Sequence, residues 1–206
     1  YDSDELNNAF NKNTKAIIIN TPNNPTGKVF SRKEFLEIAQ LCIEWDVYAI
    51  TDEIYEHINY LGHHESIAQF ENIRDRIVII NGVSKAYAMT GWRIGWIAGP
   101  KWIASACNTL QGQYTSGPNS VAQKAAEAAY TGTQQPVAEM RAAFERRKNL
   151  VVKLAREIPG LRVADPQGAF YIFPDASAFI GKSFEGRKSE NSGDLAMYLL
   201  EVGHVA

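Results

Sequence analysis

Arg76-Ile77-Val78-Ile79-Ile80-Asn81-Gly82-Val83-Ser84-Lys85 begins as an unbroken β-branched run and passes through a glycine to a serine and a lysine. Two other segments share that design. Lys15-Ala16-Ile17-Ile18-Ile19-Asn20 runs into Thr21-Pro22-Asn23-Asn24-Pro25-Thr26-Gly27, and Val47-Tyr48-Ala49-Ile50-Thr51 runs into Asp52-Glu53-Ile54-Tyr55. Continuous apolar runs of this length, separated by helical stretches, read as parallel strands covered on both faces. The fold class expected is therefore α/β, a mainly parallel sheet with helices on both faces. Ligands of such sheets sit beyond the carboxyl ends of the strands, where all three polar clusters fall.

The segments between the runs supply the helices. Ser31-Arg32-Lys33-Glu34 fits a capping box, and Phe35, Leu36, Ile38, Ala39, Cys42 and Ile43 then give an apolar helix face. Ile94 through Gly99 reads as a further short strand, with Pro100 at the first position of the helix after it. From Gln134 to Ile158 the residues Val137, Met140, Ala143, Phe144, Leu150, Val151 and Leu154 keep helical spacing, while Arg141, Glu145, Arg146, Arg147 and Lys148 face water. Pro159-Gly160 ends that helix, Ala169 to Phe173 reads as a strand, Gly181 to Ser192 as a polar loop, and a last helix begins at Ser192 or Asp194.

Composition narrows the function classes. The chain has 206 residues and a formal net charge of −2, with no electrostatic footprint for nucleic acid or an anionic membrane surface. Cys42 and Cys107 fall in predicted helices without metal-ligand spacing, which fits a reducing, cytoplasmic setting better than a disulfide framework. No apolar run reaches bilayer-spanning length, and Tyr1 with its acidic neighbours does not read as a signal segment. His63 and His64 read as an exposed loop rather than a metal site, Met89 as packing, and Trp92 and Trp96 either as the lining of a ligand cleft or as sheet-edge core residues.

The strand-end residues carry the chemistry. A lysine becomes a carbonyl nucleophile only as a neutral amine, which calls for a desolvating pocket or nearby positive charge around Lys85. Arg93 follows eight positions later between Gly91 and Gly95, and its planar guanidinium matches phosphate oxygens in pairs. Asp52, taken by itself, reads as a strand-end acid capping the next helix, where a first-turn carboxylate favours the helix dipole. Tyr55 and Asn24 are hydrogen-bonding groups in turns beyond the same strand tips.

Taken in order, Asn24-Pro25-Thr26-Gly27, Asp52-Glu53-Ile54-Tyr55 and Ser84-Lys85 through Arg93 resemble the class I and II aminotransferases, pyridoxal-phosphate enzymes of the aspartate aminotransferase fold. The likeness extends from about Lys15 through Gly168-Ala169-Phe170-Tyr171-Ile172-Phe173-Pro174. It implies pyridoxal 5'-phosphate as cofactor, held by Lys85 as a Schiff base. It further implies Asp52 on the ring nitrogen, Tyr55 and Asn24 on the phenolic oxygen, and Arg93 with Ser84 on the phosphate. Asn24 also reaches the substrate in this picture, and Lys85, Asp52 and Tyr55 are the catalytic set. Gly82 stands where some members carry another phosphate-binding serine.

The reaction implied is transfer of an amino group between an L-amino acid, aspartate by overall resemblance, and a 2-oxo acid. The resemblance divides the chain into residues 1–133, the later part of a large cofactor domain, and 134–206, an incomplete small α+β domain opening with the long helix. It also implies an internal piece of a longer, homodimeric enzyme, feeble by itself. The phosphate loop, ring-stacking aromatic and carboxylate-binding arginine are expected before Tyr1 or beyond Ala206. β-Lyases and related enzymes share these motifs, as do pyridoxal-phosphate-sensing domains of transcription regulators, and both remain alternatives at this point.

Overall fold

A computed structural model describes residues 1–205. Strands β1 (Ala16–Asn20), β2 (Tyr48–Asp52) and β3 (Ile77–Gly82) lie side by side and parallel, and β4 (Gly95–Ala98) joins β3 antiparallel. Their register sets Asn20 opposite Asp52 and Asp52 opposite Ile80, so the polar segments leave the sheet side by side. Because β4 returns antiparallel, the β3–β4 connection that carries Lys85 and Arg93 stays at this same end.

α2 (Arg32–Glu44) crosses from β1 to β2. Its first turn is closed reciprocally: the Glu34 N–H donates to Ser31 Oγ at 3.3 Å and the Ser31 N–H donates to Glu34 Oε2 at 2.7 Å. Phe35, Ile38, Ala39, Leu41 and Cys42 on α2 then bury against Ile19, Ala49 and Ile77. Strand alternation turns the intervening side chains to the opposite face. There α3 (Lys101–Thr115) approaches through Trp102, whose ring meets Tyr48 edge-on at 6.0 Å. A wide cleft lined by Ile80, Trp96, Leu110 and Tyr114 lies between that helix and the sheet, and Ile18 is 76% exposed.

α4 (Ser120–Thr131) packs Ala126 against Val83 and Met89, so Met89 is a packing residue. The long helix is α5 (Gln135–Arg156). It buries Val137, Val152 and Ala155, the last two against Val163, whereas Leu150, Val151 and Leu154 are exposed. The apolar stripe expected from spacing alone is therefore wider than the part this chain covers. Pro100 sits one residue earlier than expected, as the N-cap of α3.

Two segments differ from expectation. Residues 169–173 form no strand, because Ala169 takes a left-handed φ of 59° that breaks the extended run. The polar stretch 181–192 contains a short hairpin, β5 (Ser183–Phe184) with β6 (Arg187–Lys188). Glu185 and Gly186, both at positive φ, form its two-residue turn. The last helix, α6 (Ser192–Glu201), starts where expected, capped by Asn191. A short α1 (Ser3–Ala9) precedes β1. Among the described residues no helix is long and apolar enough to cross a membrane.

Candidate active site

The Asn24 loop hangs on the tip of β1. Asn20 donates its side-chain amide to the Asp52 carbonyl at 3.1 Å and accepts the Asn24 N–H at 2.6 Å, tying this loop to β2. Asn23 Oδ1 accepts the Thr26 N–H at 3.1 Å, and the Gly27 N–H donates to the Asn23 carbonyl at 2.8 Å. Gly27 has φ +70°, and a Cβ there would lie 2.4 Å from Pro166. Only glycine combines that conformation with so close an approach.

Beyond β2, half-buried Asp52 uses one carboxylate oxygen to accept the Ile54 N–H at 3.1 Å. Tyr55 follows with its ring 2% exposed. Its hydroxyl lies 2.6 Å from that of Tyr171, and the Tyr171 hydroxyl lies 3.5 Å from Asn24 Nδ2. Burial first, then the hydrogen bond shared with Tyr171 and the negative charge of Asp52, push the Tyr55 phenol well above its ordinary range, while the Asn24 amide opposes them. Tyr55 stays protonated and able to donate.

Beyond β3, Ser84 and Lys85 are half-buried in a turn closed by the Met89 N–H on the Ser84 carbonyl at 3.1 Å and the Ala88 N–H on the Lys85 carbonyl at 3.2 Å. Lys85 Nζ lies 5.9 Å from the centre of the Tyr55 ring and 5.8 Å from that of Phe170. Both are cation–π distances. Among the described residues its ammonium has no hydrogen bond and no carboxylate partner, and the Ser84 hydroxyl has no hydrogen bond. Arg93 is exposed, takes a left-handed φ of 55°, and donates from Nη1 to the Thr90 carbonyl at 2.8 Å. It too has no acidic partner among the described residues.

The geometry thus gathers Asn24, Asp52, Tyr55 and Lys85 around Tyr55 and Tyr171. Ser84 enters by adjacency to Lys85, and Arg93 stands in the same β3–β4 connection without touching the others. Two members of the cluster, Phe170 and Tyr171, were not singled out as site residues in the sequence. They arrive on a strap, residues 166–171, fastened across both strand-end loops. The Gln167 and Gly168 N–H groups donate to the Gly27 carbonyl at 2.8 and 3.0 Å. The Ala169 N–H donates to Ile58, and the Tyr60 N–H to Gln167, each at 2.8 Å. A Cβ on Gly168 would lie 2.5 Å from the Pro22 side chain, so the strap backbone runs directly against the ring of this loop's proline.

A second polar cluster lies behind Asp52. Glu53 is 3% exposed; its Oε1 accepts from Thr51 at 3.1 Å and from Ser66 at 2.7 Å, and its Oε2 lies 2.7 Å from His64 Nε2. His64 is therefore not the exposed loop residue its neighbourhood in the sequence indicates: the carboxylate draws it inward, with its Nδ1 buried and unpartnered. Glu53, Glu56 and His64 place possible ligand atoms within 4.8 Å of one another. Glu53 is already taken up by three partners and Glu56 accepts from Asn81 at 2.8 Å, so both carboxylates are engaged in hydrogen bonds and only His64 Nδ1 in this group is without one among the described residues.

The family described as aminotransferase class I and II matches residues 1–206. The chain belongs to this family. It is 47% identical to the aspartate aminotransferase of Bacillus subtilis over 175 residues, 84% of this chain and 44% of that protein. It is 40% identical to the aspartate aminotransferase of Streptomyces avermitilis, over 98% of this chain and 50% of that one. A bifunctional aspartate and glutamate/aspartate-prephenate aminotransferase from Petunia hybrida is 43% identical over 98% of this chain and 43% of its own length. Among solved structures, the Rhizobium meliloti aspartate aminotransferase superposes with a TM-score of 0.93 and 37% identity, covering all of this chain and 52% of that one. The chain spans about half the length of the curated relatives it matches. The α/β fold class expected from the strand runs holds for the chain, and aminotransferases of this family use pyridoxal 5'-phosphate.

Proposed function

We propose that the full-length protein is a pyridoxal-phosphate-dependent aminotransferase moving an amino group between an L-amino acid, aspartate first, and a 2-oxo acid. The observation that carries this reading is Lys85: an ammonium without a counter-ion, at a strand tip, within 6 Å of the Tyr55 and Phe170 rings. Such a group has no acidic partner to occupy it and lies beside the other strand tips, where a lysine can serve as a nucleophile or base. The donor set suits the cofactor. Asp52 keeps one carboxylate oxygen without a bond in the structure, and Arg93 keeps most of its guanidinium free.

When bound, the cofactor supplies an electron sink for charge developing at the substrate α-carbon. Lys85 would hold its aldehyde carbon, Asp52 its ring nitrogen, Tyr55 and Asn24 its ring oxygen, and Arg93 with Ser84 its phosphate. As a neutral amine, Lys85 would take the proton from the substrate α-carbon as general base and return it as general acid. The half-buried Asp52 carboxylate would favour the protonated form of the ring nitrogen. Asn24, on the exposed side of its loop, also meets the substrate.

Aspartate is favoured because the relatives named above act on it by their descriptions. The same proposal takes the protein to be a cytoplasmic homodimer, with residues 1–133 in the cofactor domain and 134–206 opening the smaller one. The full-length protein tests the proposal directly, given aspartate, 2-oxoglutarate and pyridoxal phosphate. Formation of oxaloacetate that disappears in Lys85→Ala is expected, and release of pyruvate and ammonia from a cysteine thioether in its place would redirect the protein to the β-lyases.

A further inference from the structure

We propose that Tyr171 is a positioning residue of this site, donating its hydroxyl proton to the Tyr55 oxygen so that the Tyr55 proton is turned toward the ring oxygen of the bound cofactor. The inference rests on the cofactor reading above and adds a residue to it.

Two hydroxyls 2.6 Å apart can share only one proton between them, so one donates and the other is freed to donate elsewhere. Either hydroxyl can be the donor, and the proposed sense has Tyr171 donating with the Asn24 amide behind it. Asn24 Nδ2 faces the Tyr171 oxygen at 3.5 Å, a long contact that nevertheless presents N–H and not a carbonyl to that oxygen. Tyr171 then gives its proton to Tyr55, and Tyr55 gives its own to the site. Hydrogen bonds aligned in one sense polarise one another, so Tyr55 becomes a better donor than it would be alone.

The strap makes the placement firm. Tyr171 lies two residues beyond Ala169, which is buried, at positive φ, and held by its N–H on Ile58 and its carbonyl on the Tyr60 hydroxyl. The Tyr171 and Phe170 rings meet Tyr55 edge-on at 5.8 and 5.3 Å, and Phe144 of α5 stacks on Phe170 at 5.1 Å. The charged groups around the pair are Asp52 and Lys85 on the site side, with Glu145 and Lys148 of α5 near Tyr60. Tyr171→Phe itself adds no charge to this set and removes none.

Tyr171→Phe keeps the ring and deletes the proton. In the full-length protein loaded with pyridoxal phosphate, weaker donation by Tyr55 leaves the ring oxygen more basic, and the proton it shares with the Lys85 nitrogen is held to higher pH. The pH midpoint of the visible absorption band is expected to rise by about half a unit to one unit, with kcat/KM for aspartate down about tenfold and the urea midpoint unchanged. In a Tyr55→Phe background the same substitution is expected to leave the midpoint where it was. An unmoved midpoint in Tyr171→Phe, or an equal shift in both backgrounds, overturns the role given to Tyr171. A visible band that survives Lys85→Ala unaltered would instead remove the cofactor reading beneath it.

Discussion

Asp52 and Glu53 are neighbours in the chain and occupy opposite surroundings. Glu53 points behind the β2 tip, where Thr51, Ser66 and His64 all take up its carboxylate. On the other side, Asp52 has one backbone partner, Lys85 has none, and Arg93 has only a carbonyl three residues before it. A buried carboxylate whose bonds are complete works as structure, whereas charges left incomplete at the mouth of a sheet are available to a ligand. Charge alone does not separate the two regions; the hydrogen-bond inventory does.

That contrast breaks if substitutions on its two sides behave alike. On the open side, Lys85→Ala in the full-length protein should lower amino transfer by a factor on the order of 10^3 or more, from loss of general acid–base and covalent roles together, while the urea midpoint stays near that of the parent. On the closed side, Glu53→Ala leaves His64, Ser66 and Thr51 without their acceptor, and is expected to cost about 4 kcal/mol in urea unfolding. If Lys85→Ala were the destabilising change and Glu53→Ala the silent one, the assignment of the two regions would be reversed.

Smaller effects sharpen the picture of the α2 side. Ser31→Ala removes the acceptor of the capping box and should lower stability by about 1 kcal/mol in the same assay, with amino transfer unaffected. Cys42 gives a pH-dependent counterpart. Burial raises its thiol pKa from 9.0 to about 11, against a weaker opposing pull from Arg76. The protonated thiol is the form the fold favours, so its contribution to stability is complete below pH 9 and is lost as pH rises toward 11. Iodoacetamide at pH 8 is accordingly expected to modify exposed Cys107 and spare Cys42, as read by mass spectrometry of the native protein.

Much of the framework was legible because its signals are local. β-Branched runs marked β1, β2 and β3, and Ser31 with Glu34 marked the start of α2. Asn24, Asp52, Tyr55 and Lys85 could be found because the register of a parallel sheet brings strand ends together whatever the chain does in between. Tyr171 was hidden for the complementary reason. It sits in an irregular strap whose bonds run to Gly27 and Ile58, more than a hundred residues away, so Ala169–Phe173 carried a strand's composition without a strand's partner. His64 was obscured in the same way, since only Glu53, turned inward by strand alternation, gives it a reason to be buried. On α5, spacing marked Leu150 and Leu154 as apolar-face residues, but what a face packs against is not written in its period.

The central claim is that the β1, β2 and β3 tips converge on one pyridoxal ring, with Lys85 as the amine that takes it. Borohydride reduction of the full-length protein with pyridoxal phosphate, followed by peptide mapping, tests this most directly. A single pyridoxyl group on the peptide containing Lys85 is the expected result, and a label on another lysine, with Lys85 unmodified, would contradict it.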